Sequence, residues 1–522
     1  MDSTPHGTRP IWFDDSLSLD RTTLSGDTRC DVCIVGAGIA GMCCAYWLTK
    51  AGKSVVVVDD GPIAGGESGR TTAHLSNAID DRYFEIERTH GEKSARICAE
   101  SHTAGIDALE RISLDEGIDC TFQRLDGFLF LPPGESEDVL FKEMAAAHRA
   151  GLQGVERVTR VPAFDSGPAL RFPDQAQFHP LKFIAGLAQT LESKGCRIFT
   201  GTHVNDIESI EGRLAVHSRL GTVYPQSVIV ATNSPFNDVV TMHTKQSAYR
   251  SYVIGARVPN GSITRALYWD TSATTGDLGA SYHFVRLASD LSDPEGSHEL
   301  LVVGGEDHHT GDAGNDAPVR WKRLEDWARS RFSSMENVVH QWSGQIMEPV
   351  DGIAFIGRNP TGPDHVYIVT GDSGMGMTHG SIAGLLLTDL ILGRPNPWAE
   401  LYDPSRKPTH SLWEYAKETA RMAGQYADWV QIGGSTDSLP AGCGTVVRHG
   451  ARLIAAYRAE YGELVELSAV CPHLGGIVRW NDAEKSWDCP CHGSRFDAMG
   501  HVLNGPAASD LKIECPAVVA AQ

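Results

Sequence analysis

The sequence predicts a long α/β unit with an interleaved α+β region, followed by a small all-β unit at the C-terminus. A strand, turn, helix and strand pattern occupies residues 31–60, and a strand, glycine-rich turn and apolar helix recur near residue 370. Short alternating segments separated by glycine and charged turns begin after residue 440. At 522 residues the chain exceeds the size at which one hydrophobic core stops growing, about 250 to 300 residues.

Composition and charge exclude several classes of partner. Hydrophobic residues make up 41% of the chain, charged residues 21%, and the formal net charge is -21. Nucleic-acid binding relies on clustered Lys and Arg, so we exclude it. The N-terminus lacks a signal region, and no run reaches the ~18 apolar residues of a membrane helix. We therefore expect a cytoplasmic protein without membrane insertion, whose twelve cysteines are reduced thiols or metal ligands.

Residues 31–60, DVCIVGAGIAGMCCAYWLTKAGKSVVVVDD, have the order of a dinucleotide-binding unit. In such a unit Gly36 permits the tight turn, Gly38 lets the backbone approach a pyrophosphate, and Gly41 lets the helix pack on the strand. Asp59, 18 residues after Gly41, stands where an acid accepts hydrogen bonds from the adenosine ribose. The alternative is a glycine-rich turn in an unrelated α/β protein, which would not require the strand, the helix and the acid together.

Three further segments favour FAD over NAD. GGESGRTTAHLS at 65–76 and HVYIVTGDSGMGMTHGSIAGLLLTDLILG at 365–393 resemble segments that flavoproteins of the D-amino-acid oxidase type bring to the flavin. VIVATNSP at 228–235 resembles the strand and turn that this family places beside adenine. The resemblance implies an FAD-binding Rossmann-like domain whose cofactor residues are Gly36, Gly38, Ile39, Ala40, Gly41, Asp59, Asp60, Ser68, Gly69, Arg70, Thr71, Thr72, Ala231, Gly371, Gly374, Met375, Gly376, Met377 and Thr378.

The domain boundaries follow from these segments. We expect an FAD-dependent oxidoreductase domain at 1–405, with FAD-binding segments at about 28–90, 175–235 and 345–395. The substrate domain is expected at about 90–175 and 235–345. A stretch rich in Pro, charged and aromatic residues predicts a linker helix at 406–425, before a C-terminal domain at 426–522.

The substrate region carries no recognisable catalytic base. Arg250, Arg257 and Arg286 are candidates for binding a substrate carboxylate, and each is equally a candidate for a surface ion pair. His74 is a candidate for covalent flavin attachment, because some relatives attach the flavin through a histidine in this region.

The C-terminal domain contains a metal-binding pattern, Cys471-x-His473 and, after fifteen residues, Cys489-x-x-His492. Two Cys and two His could form a structural zinc site. The flanking residues, HLGG and CPCHGSRFD, instead resemble the two loops of a Rieske domain. The resemblance implies a [2Fe-2S] cluster with Cys471 and Cys489 on one iron and His473 and His492 on the other.

One cysteine of the second loop, Cys491, is left over. By the same resemblance, high-potential Rieske proteins join such a cysteine to one in the first loop, where this chain has Gly476. They also place a Tyr, whose hydroxyl donates toward a ligand sulfur, at the position of Phe496. In this chain Ser494 keeps the neighbouring hydroxyl donor. We therefore expect a midpoint potential in the lower half of the Rieske range of roughly -150 to +300 mV.

Nearly the full length, from IWFDDSLSL to SRFDAMGHVLNGPA, resembles FAD oxidoreductases of the D-amino-acid oxidase type with a C-terminal Rieske domain. The resemblance implies oxidation of a small amine, amino acid or hydroxyl compound, with electrons leaving singly through the cluster to a carrier such as a ferredoxin. Two alternatives stay open: a carrier-fed enzyme in which electrons flow from the cluster to FAD, and a non-catalytic redox sensor.

Overall fold

The computed structural model describes residues 8–14, 16–237, 242–271, 282–293, 295–312, 316–407, 421, 424–425 and 435–514. Most of the linker helix predicted at 406–425 lies outside these residues. One of the twelve cysteines, Cys515, also lies outside them. In chain order, the elements before residue 408 are β1 (Thr28–Arg29), β2 (Val32–Val35), α1 (Ile39–Lys50), β3 (Val55–Val58), β4 (His74–Leu75), α2 (Tyr83–His90), α3 (Glu92–Asp115), β5 (Gln123–Phe130), α4 (Asp138–Arg149), β6 (Glu156–Val158), β7 (Ala169–Gln177), α5 (Pro180–Ser193), β8 (Arg197–Phe199), β9 (Val204–Ile210), β10 (Arg213–Ser218), β11 (Gly221–Tyr224), β12 (Ser227–Val230), β13 (Gln246–Pro259), β14 (Leu267–Asp270), β15 (His283–Ser289), β16 (His298–His309), α6 (Ala317–Arg329), β17 (Val338–Pro349), β18 (Phe355–Arg358), β19 (Val366–Thr370), α7 (Gly376–Ile391) and α8 (Ala399–Tyr402).

The central sheet of the α/β unit has the strand order β18-β19-β12-β2-β3-β8. Its β19, β12, β2, β3 and β8 pair in parallel, and β18 pairs antiparallel to β19. Every residue of β2 and β3 is buried, because helices cover a parallel sheet on both faces. Helix α1 is buried along most of its length and packs closely against α7.

The predicted substrate region forms a larger sheet with the order β17-β13-β16-β15-β14-β5-β7-β4, and β6 pairs with β7. Strand β17 crosses the predicted boundary at 345, and β4 is contributed by residues 74–75. A smaller sheet has the order β1-β11-β10-β9.

The C-terminal unit consists of strands β20 (Gly444–His449), β21 (Arg452–Arg458), β22 (Leu464–Ser468), β23 (Arg479–Asn481), β24 (Ser486–Asp488), β25 (Arg495–Asp497) and β26 (Val502–Asn504). They form two sheets, β20-β21-β22 and β23-β24-β25-β26, so the predicted fold class, α/β with an interleaved α+β region and a C-terminal all-β domain, is confirmed. In the part of the chain that the structure describes, no helix is long and apolar enough to cross a membrane.

Candidate functional site

A cavity of about 1840 Å³ opens beyond the carboxyl ends of β2, β3 and β12. Ligands of parallel α/β sheets bind at this edge, where the strand order reverses. The wall combines the glycine turn after β2, the loop at 64–72, the β13–β17 edge of the larger sheet, the N-terminus of α7 and parts of the C-terminal domain.

The turn after β2 has no room for larger residues. Gly36 has φ +108°, a left-handed conformation that favours glycine, and a Cβ there would collide with the carbonyl oxygen of Ala231. A Cβ on Gly41 would collide with the carbonyl oxygen of Gly36. At Gly38 a Cβ would lie 2.9 Å from Ser68 Oγ, which accepts a hydrogen bond from the Ile39 N–H. The turn therefore brings backbone close to the cavity.

Asp59 is held at the end of β3 by two backbone donors. Its carboxylate accepts hydrogen bonds from Ala37 N at 2.6 Å and from Gly61 N at 2.8 Å. Burial, together with the neighbouring charge of Asp60, raises the pKa of Asp59 to about 7. Hydroxyl donors from a ribose would favour the ionised form, so this acid and the glycine turn fit the adenosine diphosphate half of FAD.

Most of the predicted cofactor residues face this cavity. Fifteen of the nineteen line its wall, namely Gly36, Gly38, Ile39, Ala40, Asp59, Asp60, Ser68, Arg70, Thr71, Thr72, Ala231, Gly374, Met375, Gly376 and Met377. The other four, Gly41, Gly69, Gly371 and Thr378, lie behind the wall. Helix α7 begins at the cavity, so the positive end of its dipole faces the space in which FAD would lie.

The larger sheet and nearby loops contribute acids and aromatic rings that the sequence analysis did not identify. The acidic residues are Asp80, Asp81, Asp307 and Glu348, and the aromatic residues are Tyr249, Trp269, Tyr282 and Phe284. Three separate segments supply the acids, namely the loop at 80–81, β16 and β17, so no local motif marks them.

Two of these acids share one hydroxyl. Ser373 Oγ lies 2.9 Å from Asp81 Oδ2 and 2.8 Å from Glu348 Oε2, yet a hydroxyl has one proton to donate. Burial raises the pKa of Asp81 to about 7 and places that of Glu348 well above its ordinary value. A cation in the cavity would relieve the repulsion between the carboxylates of Asp81 and Glu348.

The three candidate arginines lie outside the cavity wall. Arg250 pairs with Glu484 of the C-terminal domain, and Arg257 pairs with Asp290. Arg286 donates hydrogen bonds to backbone carbonyls, including that of Ala73 at 2.7 Å. His74 does line the cavity, but its Nδ1 lies 3.1 Å from Thr72 Oγ1 and its Nε2 lies 3.3 Å from the Val285 carbonyl oxygen.

The four predicted cluster ligands converge from two loops as two like pairs. The thiols of Cys471 and Cys489 lie within hydrogen-bonding range of each other, and the ring centroids of His473 and His492 are 4.9 Å apart. Among the residues that the structure describes, no three His, Cys, Asp or Glu side chains surround one point as a single metal ion requires. A Rieske [2Fe-2S] cluster takes one cysteine pair on one iron and one histidine pair on the other, so the two like pairs fit that cluster.

The leftover cysteine faces the glycine of the first loop. A Cβ added to Gly476 would lie 2.6 Å from Cys491 Sγ and 3.0 Å from Cys489 Sγ. Cys491 is a free thiol. The Ser494 hydroxyl hydrogen-bonds the Cys471 sulfur, and the ring of Phe496 is fully buried in the same core.

One layer of sheet separates the cavity from the cluster loops. Along β13, Ser247, Tyr249 and Ser251 line the cavity, whereas successive side chains of a strand point to opposite faces. On the other face Gly493 packs so closely on Ala248 that a Cβ would collide with it. Gln345 of β17 reaches both sides, since it lines the cavity and donates from Nε2 to the Gly493 carbonyl at 3.1 Å.

A buried histidine of the larger domain also contacts the cluster ligands. The ring centroid of His243 lies 4.7 Å from that of His473 and 5.8 Å from that of His492, both edge-on. His243 is 1% exposed. The histidine side of the cluster site therefore rests against the domain that contains the cavity.

Family models match both parts of the chain. The model for DAO, FAD dependent oxidoreductase, matches residues 31–390, and the model for the Rieske [2Fe-2S] domain matches residues 428–515. The putative Rieske 2Fe-2S iron-sulfur protein YhfW of Bacillus subtilis is 30% identical over 499 residues, 94% of each chain. The gamma-glutamylputrescine oxidoreductase of Escherichia coli is 26% identical over 385 residues, 71% of this chain and 85% of that protein.

Solved structures show the same fold over the larger part of the chain. Glycine oxidase from Geobacillus kaustophilus superposes with a TM-score of 0.58 at 19% identity, covering 73% of this chain and 99% of that one. L-amino acid deaminase from Proteus vulgaris superposes with a TM-score of 0.59 at 20% identity, covering 76% of this chain and 100% of that one.

Proposed function

Because this chain belongs to the DAO family of FAD-dependent oxidoreductases and carries a C-terminal Rieske [2Fe-2S] domain, we propose that it oxidises a small amine and passes the electrons singly through the cluster to a one-electron carrier. FAD accepts two electrons together, as a hydride, and a [2Fe-2S] cluster accepts one at a time. Joining the two cofactors in one chain converts hydride chemistry into one-electron transfer.

The observation that carries this proposal is the sheet between the cavity and the cluster loops. Tyr249 and Ser251 face the cavity from β13, and Ala248 of the same strand packs against Gly493, next to the ligand His492. Side chains of neighbouring residues on a strand project from opposite faces, so only the thickness of one sheet lies between the cavity and the cluster loops here. Electron tunnelling falls steeply with distance, so a single intervening layer supports direct transfer between the cofactors.

The side chains of the cavity favour an amine among the three substrate classes. Asp80, Asp81, Asp307 and Glu348 share the wall with four aromatic rings, a combination that stabilises an ammonium through charge and cation–π attraction. None of the candidate arginines at 250, 257 and 286 is placed to pair with a substrate carboxylate.

The residues of this chain would prepare the amine for the chemistry that bound FAD supplies, which is acceptance of a hydride from carbon. A carboxylate with a pKa near neutrality, such as Asp81, suits removal of a proton from the substrate ammonium. Tyr282 donates a hydrogen bond to Asp80 Oδ1 at 2.9 Å and fixes that side chain. Loss of hydride from the carbon of the neutral amine leaves an iminium ion, which water hydrolyses to a carbonyl compound and the released amine or ammonia.

We place the protein in the cytoplasm as part of this proposal. The eleven cysteines within the described residues are free thiols, and most are buried. Such usage suits a reducing compartment, in which ferredoxin-like carriers are also available.

A substrate screen under anaerobic conditions tests the function. Oxidised holoenzyme is mixed with primary amines, diamines, amino acids and 2-hydroxy acids, while flavin bleaching and the cluster spectrum are followed. We expect amines to bleach the flavin first and the cluster spectrum to change afterwards. Bleaching by a reduced ferredoxin but by none of these compounds would instead support electron flow from cluster to flavin.

A further inference from the structure

The C-terminal domain reaches into the wall of the FAD cavity. Residues 501–505 and 507–510, in and around β26, line the same cavity as the glycine turn and Asp59. The similar glycine oxidase structure aligns over 99% of its own length but over only 73% of this chain. The shared fold therefore accounts for the FAD domain alone. This part of the wall is thus an addition to that fold.

The added segment lies beside the acids that follow β3. His203 connects the two domains, with Nδ1 3.2 Å from Asp60 Oδ2 and Nε2 2.9 Å from the carbonyl oxygen of Ala508. A Cβ added to Gly505 would lie 3.3 Å from the carbonyl oxygen of Ser234, just after β12. The segment therefore covers the carboxyl ends of β3 and β12, where a dinucleotide fold holds the adenosine half of its ligand.

The chemistry of the segment suits adenosine rather than phosphate. Residues 501–510, HVLNGPAASD, contain no Lys or Arg to pair with a pyrophosphate. Val502, Leu503, Ala507 and Ala508 give its cavity side apolar surface, on which a flat adenine ring can pack.

We propose that the Rieske domain forms part of the FAD-binding site, with residues 501–510 closing over the adenosine half of the cofactor and His203 fixing this closure to Asp60. By this arrangement FAD and the docked Rieske domain stabilise each other, because each buries surface of the other. The inference depends on FAD binding and holds for either direction of electron flow.

Hydrogen–deuterium exchange on the full chain tests the inference directly. Peptides covering 501–510 are compared between holoenzyme and protein from which FAD has been removed, with β21 (Arg452–Arg458), which contributes nothing to the cavity wall, as the internal control. We expect FAD to slow exchange in 501–510 and to leave β21 unchanged. Exchange in 501–510 that is the same with and without FAD overturns the proposal.

A substitution provides a second test that does not depend on turnover. His203→Leu removes the hydrogen bonds to Asp60 and to Ala508, of which only the second joins the two domains. We expect FAD, followed by its fluorescence on release, to dissociate about fivefold faster, the effect of losing that one inter-domain hydrogen bond of typical net strength. His217→Leu is the matched control, because His217 is a half-exposed histidine on β10 outside the cavity wall. Release from His203→Leu at the wild-type rate, with the EPR signal of the cluster intact, also overturns the proposal.

Discussion

Glu484 of the Rieske domain accepts a hydrogen bond from Arg250 of the FAD domain, with Oε2 and Nη2 2.5 Å apart and both side chains buried. Arg495 also pairs with Glu484, and Arg70 Nη1 lies 3.7 Å from its Oε1. Burial alone would raise the pKa of Glu484, but Arg250, Arg495 and Arg70 hold it well below its usual range. The hairpin between β23 and β24 thus inserts a permanent negative charge among three arginines.

Glu484→Gln should loosen the contact between the two domains. Removing one partner of a buried ion pair leaves uncompensated charge and typically costs about 3 to 5 kcal/mol. Denaturant unfolding of the holoenzyme measures the loss. Glu463→Gln, an exposed acid of the same domain, is the control and should leave stability within about 0.5 kcal/mol of wild type. Equal unfolding midpoints for the two variants would contradict the importance of this cluster.

Gly41→Val should lose FAD and destabilise the α/β unit, since a side chain at 41 meets the Gly36 carbonyl and prevents α1 from packing on β2. Gly38→Ala should be milder, because its methyl group meets only the end of the Ser68 side chain. The ratio of flavin to protein after purification, with circular dichroism, separates the two effects. Full flavin content in Gly41→Val would show that the turn does not hold the cofactor.

The ligand assignment predicts opposite results for neighbouring cysteines. Cys489→Ala should prevent cluster assembly, whereas Cys491→Ala should leave it assembled, because only Cys489 belongs to the ligand set that the Rieske resemblance implies. Iron content and the EPR spectrum of the reduced protein provide the measurement. Loss of the Rieske signal in Cys491→Ala would mean that this thiol has a role at the cluster.

The hydrogen bonds near the ligand sulfurs should set the midpoint potential. Ser494→Ala removes a donor to Cys471, so reduction becomes less favourable and the potential should fall. Phe496→Tyr should raise the potential if its hydroxyl reaches a ligand sulfur, as the Rieske resemblance implies. EPR-monitored redox titrations of wild type and both variants compare the three values. A wild-type midpoint near +300 mV, the top of the Rieske range, would contradict our expectation.

Retention of FAD should depend on pH through His203. Its hydrogen bond to Asp60 raises the pKa of His203 above the ordinary value of 6.5, and the charge of Asp510 acts in the same direction. The protonated imidazole can donate to both Asp60 and Ala508, so its contribution is complete below about pH 6.5 and is lost as pH rises through the raised pKa. Asp59 titrates in wild type and in His203→Leu alike, so the rate of FAD release from wild type relative to that from His203→Leu should rise between pH 6 and pH 9. An equal slope in both proteins would exclude His203 as a source of the pH dependence.

The cofactor segments could be predicted from sequence because each is local. The strand, Gly36 turn and helix pattern is contiguous, and the four cluster ligands occupy two short loops. The positions of Gly36 and Gly41 follow from steric requirements of the backbone, which constrain the sequence itself.

The substrate wall and the domain contact could not be predicted in the same way. Asp81 and Glu348 meet at Ser373 although more than 260 residues separate the two acids along the chain. Arg250 is a candidate for binding a substrate carboxylate in the sequence analysis, because the sequence indicates that it lies in the substrate region. The sequence does not indicate from which face of β13 its side chain projects. Strand alternation turns it away from the cavity toward Glu484, a relation that depends on docking of the two domains.

The most direct test of the account is to mix substrate-reduced enzyme anaerobically with an oxidised ferredoxin, and in parallel with oxygen, in a stopped-flow instrument with freeze-quench EPR. The account predicts that the Rieske signal appears before the flavin is fully reoxidised, and that electrons reach the ferredoxin faster than oxygen. Faster discharge to oxygen, with no change in the Rieske signal during turnover, would contradict it.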